Sequence, residues 1–139
     1  MVKFLSDEWI KKAKDVVEKN LDAEEDLKNA TTSLLNIIEN VPPDKTTVYF
    51  FASFKNGDLS EFSINSDGSL IDKEAEFTVI GDYTTFVQIV KGEMSTVMAL
   101  LKNRVKLKGD KMKALRFTKP IDRINGILRE IETEYEEGY

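Results

Sequence analysis

Apolar residues recur at helical spacing near both ends of the chain. Ser6 precedes two acidic residues and a run with apolar side chains at positions 9, 10, 13, 16 and 17, which predicts a capped helix over residues 6–20. Near the other end, Pro120 suits the first turn of a last helix. The apolar stripe of that helix consists of Ile121, Ile124, Ile127, Leu128 and Ile131. The acidic stretch 21–30 is weakly patterned, so we expect a helical turn or a loop there.

Four segments between these helices show the alternation of apolar and polar residues that is typical of strands. They span residues 46–54, 59–64, 75–80 and 104–108. One face of the first segment carries Val48, Phe50, Ala52 and Phe54. We expect this face to point into the core, together with Ala75, Phe77 and Val79 of the third segment.

Residues 31–41 fit either a helix or a strand, because periodicity alone does not separate the two for a short apolar segment. We favour a strand, since Pro42 and Pro43 end the segment abruptly and a strong strand follows at once. The dipeptide Asn56-Gly57, which readily adopts positive φ, then predicts a hairpin turn.

The stretch from Phe77 to Phe117 places several short elements close together along the chain. Asp82 is positioned to cap a helix that ends near Gly92, and a basic strand and a helical turn complete the stretch. A second short helix carries Met94, Val97, Met98 and Leu101. Apolar side chains surround these elements and no catalytic group accompanies them, which indicates a binding compartment rather than a reaction site.

The composition limits the classes of function. The chain has 139 residues, 41% of them hydrophobic, which is enough for a single domain over residues 1–139. A formal net charge of -5 argues against a general nucleic-acid binder, because phosphate neutralisation requires a basic surface. Cysteine and histidine are absent, which removes thiolate chemistry, the commonest metal ligand and the commonest general base. Acid pairs such as Glu24–Glu25 and Glu136–Glu137 are interpreted as solvated surface. We therefore predict a non-enzymatic, cytoplasmic protein without a metal or cofactor.

The residues from Phe77 to Phe117 resemble the sterol carrier protein type-2 family of lipid-binding domains. The likeness lies in a strand, Gly-Asp at the start of a helix, a Lys-Gly pair, a short second helix, and a basic strand that ends in Lys-Leu-Lys-Gly-Asp. Upstream, the N-terminal helix, the paired strands and the Lys-Asn-Gly-Asp turn follow the family's order. The resemblance implies an α+β fold: a five-stranded, mostly antiparallel sheet with helices packed on one face. It also implies an apolar cavity between the two layers for a fatty acyl chain, a sterol or a similar lipid.

Apolar residues that face this compartment are candidates for lipid binding. Methionine adapts to ligands of varied shape, which draws attention to Met94 and Met98. The twelve candidates are Phe50, Phe77, Phe86, Ile89, Val90, Met94, Val97, Met98, Leu101, Leu115, Ile124 and Leu128. The alternative is that these residues form an ordinary core.

Two functions of different classes follow. The first is non-enzymatic binding or transfer of a fatty acid, a fatty acyl-CoA or a sterol-like ligand. The alternative is an accessory protein-interaction module with a filled core that serves an enzyme of lipid or quinone metabolism.

Two surface features suggest partners. Basic residues are frequent between positions 102 and 123, and they predict either a transient contact with an anionic membrane through Lys106 and Lys108 or a solvated edge strand. Tyr49 and Phe51 point away from the core face. We expect either a cover by an N-terminal segment or a subunit contact that makes a homodimer.

Overall fold

A mixed sheet of five strands forms the centre of the fold, and the five helices of the described residues lie on one of its faces. The structure, a computed structural model, describes residues 1–136. The strands are β1 (Val2–Lys3), β2 (Thr32–Val41), β3 (Thr46–Lys55), β4 (Asp58–Asn65), β5 (Phe77–Asp82), β6 (Val105–Lys108) and β7 (Thr133–Glu134). The helices are α1 (Asp7–Asn20), α2 (Tyr83–Lys91), α3 (Thr96–Leu101), α4 (Lys111–Arg116) and α5 (Thr118–Leu128).

Strand β2 lies at the centre of the sheet, whose strand order is β4-β3-β2-β5-β6. It pairs antiparallel with β3 and parallel with β5, and the two outer pairings are antiparallel. The predicted five-stranded, mostly antiparallel sheet is therefore confirmed. The choice of a strand for residues 31–41 is also confirmed, with Pro42 directly after its last residue.

The inner face of β3 packs against the helices as its alternating pattern predicts. Its four apolar side chains, Val48, Phe50, Ala52 and Phe54, are all buried in the main core. The turn that follows is a tight hairpin in which Asn56 and Gly57 have φ values of 52° and 85°. Both residues thus take the left-handed conformation that the Asn-Gly pair favours.

The opposite face of β3 is covered by the loop between β4 and β5. Phe51 packs with Leu35 and Leu70, and the Lys73 ammonium group lies 4.9 Å from the centre of the Phe51 ring. Ala75, predicted to point into the main core, packs with this outer cluster instead, because it precedes β5 and is not part of the strand. The prediction that an N-terminal segment covers this face of β3 is wrong, because the β4–β5 loop covers it. Phe51 is only 3% exposed, so it is not available for a subunit contact, and Tyr49 is half-buried against the same cluster.

The first helix forms where the pattern predicts it. Ser6 Oγ accepts a hydrogen bond from the backbone N–H of Trp9 at 3.1 Å, which caps α1. Trp9 is fully buried and meets Phe4 and Phe50 edge to face, with ring centroids 5.0 and 5.9 Å away. These ring contacts fix α1 over the sheet.

Helix α2 begins after Asp82 as predicted, but the Asp82 carboxylate does not cap it. The carboxylate accepts a hydrogen bond from Asn40 Nδ2 at 2.7 Å instead. Gly92 ends the helix with φ of 82°, the left-handed value predicted for it. Gly81 allows Val105 of β6 and Phe86 of α2 to pack closely against β5, since a Cβ there would lie 2.9 Å from Val105 Cγ1 and 3.3 Å from Phe86 Cε2.

The last helix ends at Leu128, before the end of the predicted stripe. Ile131 is buried all the same, and the chain then forms β7, which pairs in parallel with β1. No sequence pattern predicted this pairing, which joins the first and last parts of the described chain. Glu137 of the predicted acidic pair lies outside the described residues.

The cover over the outer face of the sheet can be tested with two adjacent residues. Leu70 is buried, whereas Ile71 is 56% exposed. We expect Leu70→Ala to lower the free energy of unfolding by about 2 kcal/mol and Ile71→Ala to change it by less than about 0.5 kcal/mol. Urea unfolding measures both. Equal effects of the two substitutions would show that the loop does not pack on Phe51.

Candidate functional site

An apolar cavity of about 120 Å³ lies between the sheet and the helices. All five strands of the main sheet and all five helices contribute side chains to its wall. The inner face of the sheet forms the floor and the helices form the roof. Space therefore remains between the two layers at the centre of the fold.

The wall combines large rings with small side chains. Eight aromatic residues line it: Phe4, Trp9, Phe50, Phe54, Phe62, Phe77, Phe86 and Phe117. Several of the rings pack against one another. The ring planes of Phe50 and Phe62, for example, meet at 81° with their centroids 5.0 Å apart. Such large, rigid groups hold the two layers apart. Ala52, Ala99 and Ala114 in the same wall are too small to fill the remaining space.

Few polar groups reach the cavity. Asn36 lies on the floor, and its Nδ2 donates a hydrogen bond to the Phe50 carbonyl oxygen at 3.4 Å. On the helical side are the Asn125 amide and the hydroxyls of Thr96 and Thr118. Among the described residues that line the cavity, none is charged. The wall suits an apolar group that carries, at most, a neutral hydrogen-bonding function.

Seven of the twelve predicted lipid-binding residues line this cavity: Phe50, Phe77, Phe86, Ile89, Val90, Ile124 and Leu128. The other five lie outside its wall: Met94, Val97, Met98, Leu101 and Leu115. Of these, Met94 packs against the cluster formed by Ile89, Ala99 and Val105, and Val97 is half-buried. Contact of any of the twelve with a lipid stays a prediction.

Helix α3 turns a different side to the interior than we expected. Ala99 is fully buried and Leu100 lines the cavity. Met98 and Leu101 point outward and are 39% and 66% exposed. Because all of residues 97–101 are apolar, the pattern contains no polar face that could fix the rotation of the helix.

An open groove of about 590 Å³ runs between α3, β6 and α4. Leu101 and Leu115, two of the predicted residues that lie outside the cavity, line this groove instead. Lys106 and Lys111 line it as well, so it combines apolar and basic side chains.

Many wall residues from the strands and the N-terminal segment are not among the twelve predicted lipid-binding residues. Strand alternation placed Ala52 and Val79 on the core face without marking them as candidates, and it could also have identified Leu34 on the inner face of β2. Phe4 and Trp9 reach the cavity from the first residues of the chain. Trp9 belongs to the apolar stripe predicted for α1, whereas no pattern in the sequence places Phe4 there.

The two shortest helices are the most weakly packed part of the roof. Helices α3 and α4 have six residues each and bury one residue each, Ala99 and Ala114. An alanine buries little apolar area, so packing contributes little to their stability. An ion pair between Lys113 and Glu76 ties α4 to the sheet side of the molecule, and the Thr32 hydroxyl donates a hydrogen bond to the same carboxylate. The Lys113 ammonium and the Thr32 hydroxyl hold the pKa of Glu76 below its ordinary value.

Within residues 1–136, no group of three or more His, Cys, Asp or Glu side chains is arranged to hold a metal ion. In the same range, no helix has both the length and the apolar character needed to cross a membrane. The arrangement that the described residues offer is an apolar compartment with a partly basic groove beside it.

Most of the chain matches a known protein family. Residues 10–122 match the SCP-2 sterol transfer family. A search of curated protein sequences finds no match.

Solved structures with the same fold include sterol carrier proteins. A conserved hypothetical protein from Thermus thermophilus, suggested to be a sterol carrier protein, aligns with a TM-score of 0.77 and 14% identity over 96% of this chain and 93% of that one. A crystal structure of sterol carrier protein 2 aligns with a TM-score of 0.74 and 16% identity over 93% of this chain and 99% of that one. Palmitated SCP2L2 from Aedes aegypti aligns with a TM-score of 0.57 and 12% identity over 86% and 94%. At these identities the likeness shows the fold.

Replacing Glu76 by Gln should loosen α4 in a pH-dependent way. At neutral pH we expect the free energy of unfolding to fall by less than about 1 kcal/mol, because Lys113 is largely exposed and water screens the pair. Since the folded-state pKa of Glu76 is lowered, the stabilisation is present above the unfolded-state pKa and is lost as the pH falls through the folded-state pKa. Urea unfolding should therefore show the free energies of unfolding of the variant and the wild type converging in acid.

Glu74→Gln, at an exposed position nearby, is the control. An effect of the same size for both substitutions at every pH would contradict the prediction.

Proposed function

Because this chain belongs to the SCP-2 sterol transfer family, we propose that it binds and carries a lipid without catalysing a reaction. The observation that carries the proposal is the apolar cavity of about 120 Å³, which is lined by every strand of the main sheet and every described helix. The ligand is a fatty acid, a fatty acyl-CoA or a sterol-like molecule. Its apolar part lies against the seven predicted residues in the cavity wall.

The cavity must widen to admit a whole lipid. Pockets for drug-sized ligands have volumes of roughly 300–1,000 Å³, and a dry cavity of about 150 Å³ can hold benzene. The present space suits a ring or a short length of chain, so uptake requires part of the wall to move. The segment 109–120 is the part that moves, since α4 within it buries only Ala114.

The lining decides which part of a lipid enters. Burial of apolar surface is favourable by about 25 cal/mol per Å², whereas burial of an unpaired ion is strongly unfavourable. With no charged group among the described lining residues, a carboxylate or phosphate stays outside, where Lys106 and Lys111 line the adjoining groove. A hydroxyl or carbonyl can enter and bond to Asn36 or Asn125.

A carrier must also meet the source of its ligand. Contact with an anionic membrane through Lys106 and Lys108 is part of the proposal, because both side chains are exposed on the edge strand β6 and neither forms an ion pair with a described residue. A cytoplasmic location is compatible with a chain that has no cysteine. A homodimer was suggested by an uncovered Phe51. Because Leu70 and Lys73 cover this ring, it no longer supports a homodimer.

The alternative, an accessory interaction module with a filled core, is less well supported. It requires a closed interior, and the interior here retains an apolar cavity. Failure of the protein to take up any lipid would favour this alternative.

Uptake of cis-parinaric acid, a fluorescent fatty acid, tests the proposal. The wild type should bind the probe, and Leu34→Phe should weaken binding by at least about tenfold, because the larger side chain fills the cavity that Leu34 lines. Ile71→Phe adds a ring at an exposed position and should leave binding unchanged. Urea unfolding verifies that both variants fold. No uptake by the wild type, or equal uptake by all three proteins, would overturn the proposal.

A further inference from the structure

Exposed apolar side chains are frequent on α3 and α4, the two helices that line the groove, and one of these side chains, Leu101, lines the groove itself. Among the described residues, the large apolar side chains with the greatest exposure are Met1, Ile71, Met98, Leu101 and Met112. Met98 and Leu101 are three residues apart on α3 and so share one side of that helix. Met112 lies on α4, across the groove, and is 64% exposed. Leaving three such side chains in water is unfavourable, which suggests that they are covered when the protein functions.

The groove and the interior cavity share a wall. Leu100, Val105 and Leu107 line both spaces, so one layer of side chains separates the groove from the cavity. The helices on either side, α3 and α4, each bury a single alanine. A small displacement of either helix would therefore join the two spaces.

The charge of this region is opposite to that of the whole chain. Residues 98–119 contain eight Lys or Arg residues and one acidic residue, Asp110, in a chain with a net charge of -5. All eight basic residues are exposed. Among the described residues, only Lys113 of these eight forms an ion pair. A surface with apolar tips surrounded by unpaired cations complements an anionic bilayer, in which apolar groups enter the interface and ammonium groups meet the headgroups.

We infer that Met98, Leu101 and Met112 insert into an anionic membrane surface, and that the groove between α3 and α4 is the route by which lipid passes to and from the cavity. This inference rests on the proposed carrier function and adds to it the docking face and the direction of entry. We call the surface formed by these three residues with Lys106 and Lys108 the docking face. The lysines orient the docking face toward the membrane, and the three apolar side chains hold it there. Contact with the bilayer places the moving part of the wall directly against the lipid source.

Flotation of the protein with lipid vesicles separates the contribution of the lysines to membrane binding from that of the exposed apolar side chains. Vesicles of phosphatidylcholine with phosphatidylserine should bind the wild type, and vesicles of phosphatidylcholine alone should bind it weakly. The double variant Leu101→Ser/Met112→Ser should lose about tenfold in vesicle affinity through lost apolar burial. Lys106→Glu/Lys108→Glu should lose at least as much, and added salt should weaken wild-type binding further.

Matched controls keep the charge and polarity changes but move them off the docking face. Ile71→Ser replaces an exposed apolar residue on the outer loop, and Lys11→Glu/Lys12→Glu reverses two exposed charges on α1. Both should bind vesicles as the wild type does. If the controls lose as much affinity as the test variants, the docking face is refuted.

Transfer of cis-parinaric acid from one vesicle population to another tests the route. The Met112→Ser variant, at a position that lines neither the cavity nor the groove, should bind the free probe like the wild type but transfer it between vesicles about fivefold more slowly. Normal transfer by this variant would overturn the inference and leave the carrier function intact. Absence of probe binding by the wild type would overturn the carrier function itself. Loss of a dimer in Leu101→Ser/Met112→Ser, seen by sedimentation, would assign the face to a second copy of the chain and refute the membrane contact.

Discussion

Aromatic rings between the sheet and the helices determine the rest of the structure. Trp9 meets Phe4 and Phe50 edge to face, and Phe50 meets Phe62 in the same way. These contacts make a rigid layer that α1 cannot approach more closely. Because Ala52, Ala99 and Ala114 face the same space, the layers meet at the rings and leave a cavity beside them.

The two ends of the helical layer differ in how firmly they are held. Helix α1 buries Trp9, Ala13 and Val17, and the β1–β7 pairing joins the start of the described chain to its last strand. Helices α3 and α4 bury one alanine each. Local opening is easiest where apolar burial is least, so we expect movement on the side of α3 and α4, which also carries the groove, the basic residues, Met98 and Met112. Under the proposed function, ligand entry and membrane contact therefore lie on the same side of the molecule.

The long elements were predictable because their patterns repeat over several turns or residues. The alternation in residues 46–54 identified the core face of β3, and Pro42 resolved the ambiguity of residues 31–41. Features that depend on few residues were not predictable. The β1–β7 pairing involves two residues in each strand, too few to show a period. The cover on Phe51 comes from Leu70 in a polar loop, where a single apolar residue gives no pattern.

The candidate site was predictable in part for the same reason. Strand and long-helix positions such as Phe77, Phe86 and Leu128 line the cavity because amphipathic patterns fix which side of their elements is buried. Helix α3 has no polar face, so its sequence allowed Met98 and Leu101 to be assigned to the interior, whereas the structure places them outside. Its rotation follows from tertiary packing, in which Ala99 fits closely against Ile89 and Val105.

In the proposed carrier, the space between the sheet and the helices opens to hold one lipid molecule. Native mass spectrometry of the protein, purified without detergent and then incubated with a long-chain fatty acid, tests it most directly. We expect a complex of one chain with one lipid that dissociates at raised collision energy. A spectrum that contains only the mass of the unliganded chain, both before and after incubation, would contradict it.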